Sequence, residues 1–130
     1  MHPESSPAIE VRELRKVYGE KAAVDGLTLR VERGCFFGFL GPNGAGKTTT
    51  IRMLMGLAPA SSGSIEILGH RMPAESLSIK SKIGLVPDDT LLFDHLTGAE
   101  FVEFVGRMHN LGRELSRSRT AELLELFELD

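Results

Sequence analysis

One stretch of the sequence limits the possible folds more than any other. Residues 41–48 read GPNGAGKT and match the pattern GxxxxGK[ST]. The glycines of this pattern let consecutive backbone N–H groups turn inward without a Cβ in the way, which creates a concave site for an anion. Lys47 then suits the β and γ phosphates of a nucleotide, and the Thr48 hydroxyl suits magnesium. The stretch therefore predicts a phosphate-binding P-loop.

The flanking residues fit the same interpretation, because a P-loop follows a buried strand and opens a helix. Residues 35–40 read CFFGFL, and this apolar run predicts a fully buried strand. From Lys47 the apolar residues recur at helical spacing until Gly56 and Pro59. The predicted apolar face of this helix consists of Ile51, Leu54, Met55 and Ala58. The alternative, a chance glycine turn, has a frequency of about one in a few hundred for a chain of this length.

Periodicity predicts further elements on both sides of the loop. Apolar residues alternate with charged ones around residues 9–11 and 27–31, so the first thirty residues predict antiparallel β-structure. Residues 64–68 predict a short strand, residues 74–82 a weak helix, and residues 83–86 another buried strand. Together with the P-loop, this alternation predicts an α/β fold.

Two helices are predicted in the last part of the chain. Thr97, with Glu100 three residues later, has the form of a capping box and predicts a helix over residues 98 to about 111, with an apolar face of Phe101, Phe104, Val105 and Met108. A second helix is predicted from about residue 116, with Ala121, Leu123, Leu124 and Phe127 on its apolar face. Its period continues to Asp130 without a stop signal, so we expect a chain that is cut.

Composition limits the partners and the compartment. The 130 residues fit one domain, and the net charge of −3 without a basic run argues against nucleic acid. The single cysteine, Cys35, excludes an intrachain disulfide and fits a reducing cytosol. No run approaches the ~20 apolar residues that a membrane-spanning helix needs, so we expect no direct membrane insertion.

The segment GPNGAGKTTT, followed by a helix and then SSGSIEILG, resembles the ATP-binding subunit of ABC transporters, and the resemblance covers nearly the whole chain. It implies an α/β P-loop NTPase of the ABC type with an N-terminal antiparallel β region, truncated before the signature motif. We expect residues 1–7 to form a flexible N-terminus and residues 8–130 a partial nucleotide-binding domain. Its β region and P-loop core would extend to about residue 96, and residues 97–130 would start the helical subdomain.

The resemblance also implies the cofactors, ATP and Mg²⁺, and a role for residues outside the P-loop. It assigns stacking on adenine to Tyr18 and an apolar contact with the base or ribose to Val24, while Thr49 is placed to bond the α phosphate. The nucleotide-binding residues expected are Tyr18, Val24, Gly41, Pro42, Asn43, Gly44, Ala45, Gly46, Lys47, Thr48 and Thr49.

Asp88 is the second metal residue expected, beside Thr48. It stands where the family usually has a glutamine that ligates magnesium and senses the γ phosphate. A carboxylate is a hard oxygen ligand suited to magnesium, but its charge also faces the triphosphate. The alternative is a solvated acidic loop shared with Asp89 and Asp94.

The function implied by the resemblance is the coupling of ATP binding and hydrolysis to transport through a separate transmembrane permease. The subunit would lie in the cytoplasm, peripheral to the inner face of the cell membrane, and full-length subunits would dimerise. The family's signature motif, catalytic glutamate and switch histidine do not occur in these residues. We therefore expect no catalytic residue within this chain, weak binding of Mg-ATP with little hydrolysis, and no ATP-driven homodimer.

Two other interpretations stay open at this point. Another P-loop NTPase, such as a small GTPase or a nucleoside monophosphate kinase, normally has its P-loop near the N-terminus, whereas some forty residues precede it here. No NKxD-like guanine motif occurs either. The second alternative is a truncated, non-catalytic or regulatory chain that binds a permease or a full-length partner.

Overall fold

The structure is a computed structural model that describes residues 6–86 and 95–129. The chain divides into two compact units, Met1–Leu85 and Val86–Asp130. The division predicted at about residue 96 stays a prediction. Among the described residues, no helix has the length and apolar character needed to cross a membrane.

The first unit is built on a four-stranded sheet in the order β2-β1-β3-β4, and each neighbouring pair is antiparallel. The strands are β1 (Ile9–Tyr18), β2 (Lys21–Val31), β3 (Ser62–Ile67) and β4 (His70–Arg71). A tight turn joins β1 to β2, with Tyr18 paired to Lys21 and Gly19 at a φ of 58°. The antiparallel β-structure predicted for the first thirty residues is therefore confirmed.

Two helices pack with this sheet, α1 (Lys47–Leu54) and α2 (Ser76–Lys80). The apolar core collects side chains from β1, β2, β3 and both helices, namely Val11, Leu14, Val24, Met53, Ile65, Ile67 and Ile79. In α1 the buried residues are Thr50 and Met53, whereas Ile51 is 41% exposed. The predicted apolar face of α1 is thus wrong for Ile51, although Leu54 and Ala58 do pack against the core.

Two predicted strands do not form. Residues 35–40 and 83–86 have no strand structure. Phe36 is fully exposed, and Leu40 and Val86 are almost fully exposed. A buried strand needs hydrogen-bonded neighbours along its edges and layers that cover its faces. None of the four strands in the described part of the chain pairs with either segment. Apolar composition predicted burial, but it does not supply these neighbours.

The second unit contains α3 (Gly98–Met108) and α4 (Arg113–Leu126). The predicted capping box is confirmed, since the Thr97 N–H donates to Glu100 Oε2 at 2.8 Å and the Glu100 N–H donates to Thr97 Oγ1 at 3.3 Å. The bonds that the Thr97 N–H and the Thr97 hydroxyl donate to Glu100 Oε2 lower the pKa of Glu100 from its ordinary value of 4.5. The helix α3 ends three residues before the predicted end at 111, and α4 begins three residues before the predicted start at 116.

Small residues form part of the contact between α3 and α4. Ser116 and Thr120 are the buried residues of α4, and Ser116 Oγ donates to the Glu103 carbonyl oxygen of α3 at 3.1 Å. A Cβ on Gly106 would lie 2.6 Å from Ser116 Oγ, so the helices approach closely at this glycine. The predicted apolar face of α4 is therefore wrong for Leu123 and Phe127, which are 42% and 65% exposed, and for the exposed Ala121, whereas Leu124 is half-buried.

Candidate functional site

The predicted P-loop forms a turn that runs directly into α1. The Ala45 N–H donates to the Pro42 carbonyl oxygen at 3.2 Å, and Gly44 and Gly46 have φ angles of 82° and 86°. Side-chain-bearing residues rarely adopt such angles, so the path of the loop depends on these two glycines. Gly46 is the N-cap of α1, and its carbonyl oxygen accepts the first helical bond from the Thr50 N–H at 2.8 Å.

The N-terminus of α1 is open to an anion. The first N–H groups of a helix have no acceptor within the helix, and the helix dipole adds a partial positive charge at this end. Gly46 has no side chain to cap these groups, and the first turn of α1, all of it within the described residues, carries no acidic side chain. An N-terminus of this kind behind a glycine loop suits a phosphate group.

Lys47 places its positive charge on the same loop. Its Nζ donates to the carbonyl oxygens of Gly41 and of Pro42, the second at 2.7 Å. The side chain therefore folds back over residues 41 and 42 and is half-buried. The next residues carry hydroxyls, of which Thr48 is exposed and Thr49 half-buried. The loop thus combines backbone donors, a cation and hydroxyl oxygens over a few residues.

The P-loop lies directly against β2. A Cβ on Gly46 would overlap the Ala23 carbonyl oxygen and would lie 3.0 Å from Val24 Cγ2. Thr50 is 1% exposed and its Oγ1 donates to the Gly46 carbonyl oxygen at 2.9 Å, which fixes the loop from the helix side. An open pocket of about 530 Å³ lies between β2 and the loop, with Phe39, Gly44 and Ala45 in its lining.

Val24 is part of this support, because it is 7% exposed and belongs to the apolar core. The structure therefore gives Val24 a packing role beneath Gly46. Its predicted contact with a base or ribose stays a prediction. Asp88, the second predicted metal residue, lies outside the described residues, so its role also stays a prediction.

Tyr18 lies at the end of β1, and its side chain is 51% exposed. Lys16 Nζ lies 4.9 Å from the centroid of the Tyr18 ring and donates to the Pro59 carbonyl oxygen at 2.7 Å. The ring is therefore accessible and has a cation against it. Its predicted stacking on adenine stays a prediction.

Sequence reasoning missed two residues that organise this region, Lys16 and Thr50. Lys16 precedes Tyr18 by two positions, which places both side chains on the same face of a strand, so strand period alone could have indicated this pair. Thr50 follows Gly46 by four positions, the spacing at which a threonine hydroxyl reaches a helical carbonyl. The run of threonines from residue 48 to 50 gave no reason to single it out.

Comparison with known proteins points to one family. The family model described as ABC transporter matches residues 24–130. The daunorubicin resistance ATP-binding protein DrrA3 of Streptomyces coeruleorubidus is 46% identical over 122 residues, which cover 94% of this chain and 39% of that protein. The Nod factor export ATP-binding protein I of Ralstonia nicotianae is 40% identical over 126 residues, which cover 97% of this chain and 39% of that protein. The chain therefore spans about two fifths of the length of these relatives.

A solved structure gives the same result for the fold. The dimeric, post-hydrolysis structure of the ATP-binding cassette MJ0796, which is bound to ADP and Pi, superposes with a TM-score of 0.79 and 27% sequence identity. The match covers 94% of this chain and 58% of that chain. The α/β fold with a P-loop and an antiparallel β region is thus confirmed.

Proposed function

The chain belongs to the ABC transporter family, and on that premise we propose that it forms the nucleotide-binding front part of a transporter's ATPase subunit. Its relatives are named ATP-binding proteins, and the cassette MJ0796 binds ADP. In this proposal the chain binds ATP with magnesium. The family match also removes the alternative of a small GTPase or a nucleoside monophosphate kinase.

One observation carries the proposal: the glycine loop opens the N-terminus of α1 and has the Lys47 ammonium folded over it. Backbone N–H groups of residues 43–49 would hold the phosphates, and Lys47 would exchange its bonds to two loop carbonyls for bonds to phosphate oxygens. A Cβ on Gly46 would overlap the backbone of β2, so the loop can lie against this strand only with glycine at position 46. The donor set of the loop thus fits a triphosphate group.

The remaining residues complete the proposed site. The exposed Thr48 hydroxyl would ligate Mg²⁺, which partly neutralises phosphate charge, and Thr49 would bond the α phosphate. The exposed Tyr18 ring would stack on adenine. Asp88 would be a further magnesium contact.

We propose that the subunit acts with a separate transmembrane permease at the inner face of the cell membrane and dimerises there. The names of the relatives support export, since one confers daunorubicin resistance and another exports Nod factor. The dimeric structure of MJ0796 supports pairing of two such subunits. Energy from ATP binding and hydrolysis would drive the permease.

The experiment is a titration of the purified chain with a fluorescent ATP analogue and magnesium, with ATP turnover followed in the same samples. Lys47→Ala is expected to weaken binding by about 10- to 100-fold, because charge-assisted hydrogen bonds are lost. Tyr18→Ala is expected to weaken it less. The matched control is Lys80→Ala, an exposed lysine at the end of α2, which should bind like the parent.

The outcome that contradicts the proposal is saturable binding that Lys47→Ala leaves unchanged in a folded chain. Turnover in the parent separates an active ATPase part from the non-catalytic or regulatory chain considered above. The expectation from the sequence is binding with little turnover.

A further inference from the structure

Lys16 contacts both the ring of Tyr18, which is the proposed stacking surface for adenine, and the loop that follows α1. Its Nζ lies 4.9 Å from the centroid of the Tyr18 ring and also donates to the Pro59 carbonyl oxygen at 2.7 Å. Pro59 belongs to the connection between α1 and β3. A single side chain thus links the ring of Tyr18 to the connection that follows the helix opened by the P-loop.

The backbone around Lys16 is fixed to the same connection. The Val17 N–H donates to Ser61 Oγ at 3.0 Å, and the Ser61 N–H donates to the Arg15 carbonyl oxygen at 2.8 Å. The end of β1 therefore cannot move relative to residues 59–61 without loss of these bonds.

Lys16 is also connected to the P-loop across the hairpin. It pairs in the sheet register with Val24, and Val24 is the residue whose Cγ2 lies against Gly46. Lys16, Val24 and Gly46 thus connect the Tyr18 ring to the P-loop through a short series of contacts.

We propose that Lys16 is a positioning residue that holds the Tyr18 ring in place for the adenine base. The inference rests on the proposed function, in which Tyr18 stacks on adenine. The ammonium covers one face of the ring, and the exposed remainder of the ring receives the base. An exposed tyrosine without this contact loses side-chain freedom when a base binds, whereas a ring already held by Lys16 loses less.

Because Lys16 acts through a cation–π contact, its charge decides which substitutions at this position preserve ATP affinity. The free energy of a contact of this kind at an exposed site limits the change in affinity to about two- to fivefold. Lys16→Met keeps the aliphatic stem and removes the charge and the bond to Pro59, so it is expected to weaken ATP binding by this factor. Lys16→Arg keeps a cation over the ring and is expected to bind within about twofold of the parent.

The composition of the chain makes a direct readout available. Tyr18 is the only tyrosine and no tryptophan occurs, so a chain with ¹³C-labelled tyrosine rings gives NMR signals from Tyr18 alone. The titrants are Mg-ATP and Mg-tripolyphosphate, the second of which has phosphates but no base. Tripolyphosphate affinity is measured by competition with the fluorescent ATP analogue, and circular dichroism melting of each variant monitors folding.

The proposal expects three results together. Mg-ATP shifts the Tyr18 ring signals in the parent, Lys16→Met weakens ATP but not tripolyphosphate, and Lys16→Arg restores ATP affinity. If Lys16→Met weakens both ligands equally, Lys16 acts on phosphate or on the fold and the proposal is wrong. It is equally wrong if Lys16→Met binds ATP like the parent. If Mg-ATP saturates the parent without shifting the Tyr18 signals, the stacking itself fails and the proposed function must be revised as well.

Discussion

The backbone of Gly46 lies against the carbonyl group of Ala23, so closely that a Cβ on Gly46 would overlap the Ala23 oxygen. Gly46 is both the N-cap of α1 and the last glycine of the P-loop, and Ala23 lies in β2. The glycine therefore serves two purposes: it allows the φ of 86° and it lets the loop lie directly on the sheet. The position of the candidate phosphate site depends on this contact.

We expect Gly46→Ala to lower affinity for Mg-ATP more than tenfold. The positive φ costs an alanine about 1–2 kcal/mol, and the added methyl group must also push the loop away from β2. The measurement is a titration with the fluorescent ATP analogue, accompanied by urea unfolding.

The control for this substitution is Gly34→Ala. Gly34 also has a positive φ, 69°, but a Cβ there would meet nothing within 4 Å. It should lose about 1–2 kcal/mol of stability for the same backbone reason and keep its nucleotide affinity. Equal affinities of the two variants would contradict the role given to the contact with Ala23.

Affinities for ATP and GTP are expected to agree within about threefold, because an aromatic ring stacks on every base and does not read base edges. The proposed base contact is Tyr18, whose ring is half-exposed at the end of β1. Competition of each nucleotide against the same fluorescent analogue, with magnesium, measures the ratio. A preference of about thirtyfold for either nucleotide would mean that polar groups recognise the base edge, and stacking would then be an incomplete description.

The elements that were predicted correctly from the sequence are those whose formation depends on a few neighbouring residues. The capping box at Thr97 and Glu100 needs only two side chains and the backbone between them, and it formed as expected. The glycine loop that opens α1 depends in the same way on the conformations that glycine allows. Strand alternation in β1 and β2 succeeded because the two strands follow each other and pair.

Prediction from the sequence failed where the structure of a segment depends on residues far away in the chain. Residues 35–40 have the apolar composition of a buried strand, but composition does not say which strands will flank it, and Phe36 is fully exposed. In α4 helical period favoured the leucines, whereas Ser116 and Thr120 are buried. Gly106 on α3 lies close to Ser116, with only 2.6 Å between its Cβ position and Ser116 Oγ. A single sequence does not reveal such a pairing of helices.

Alanine substitutions at two glycines of α3 are expected to change the free energy of unfolding in opposite directions. Gly106→Ala is expected to lower the free energy of unfolding by about 1–2 kcal/mol, because its methyl group would crowd Ser116 Oγ, which lies 2.6 Å from the Cβ position. Gly98→Ala should instead raise it by up to about 1 kcal/mol, since nothing lies within 4 Å and alanine loses less backbone entropy. Urea unfolding followed by circular dichroism measures both, and stabilisation by both would show that the helices do not pack this closely.

The stability of α3 is expected to fall in acid through Glu100. The bonds from Thr97 lower the pKa of this carboxyl from its ordinary value of 4.5, so the folded chain binds the proton less readily than the unfolded chain. The contribution is therefore complete above pH 4.5 and is lost as the pH falls through the lowered pKa. Glu100→Gln is the matched variant, because its amide oxygen can still accept from the Thr97 N–H but does not titrate.

Circular dichroism melting between pH 6 and pH 3 tests this dependence in both chains. The parent should lose more stability over that interval than Glu100→Gln, and the difference between the two should become smaller toward the acid end. Thr97→Ala removes the hydroxyl partner and should reduce the pH dependence assigned to Glu100 while it lowers stability at pH 6 by about 1 kcal/mol. Identical pH profiles for the parent and Glu100→Gln would mean that the carboxylate charge does not stabilise the start of α3.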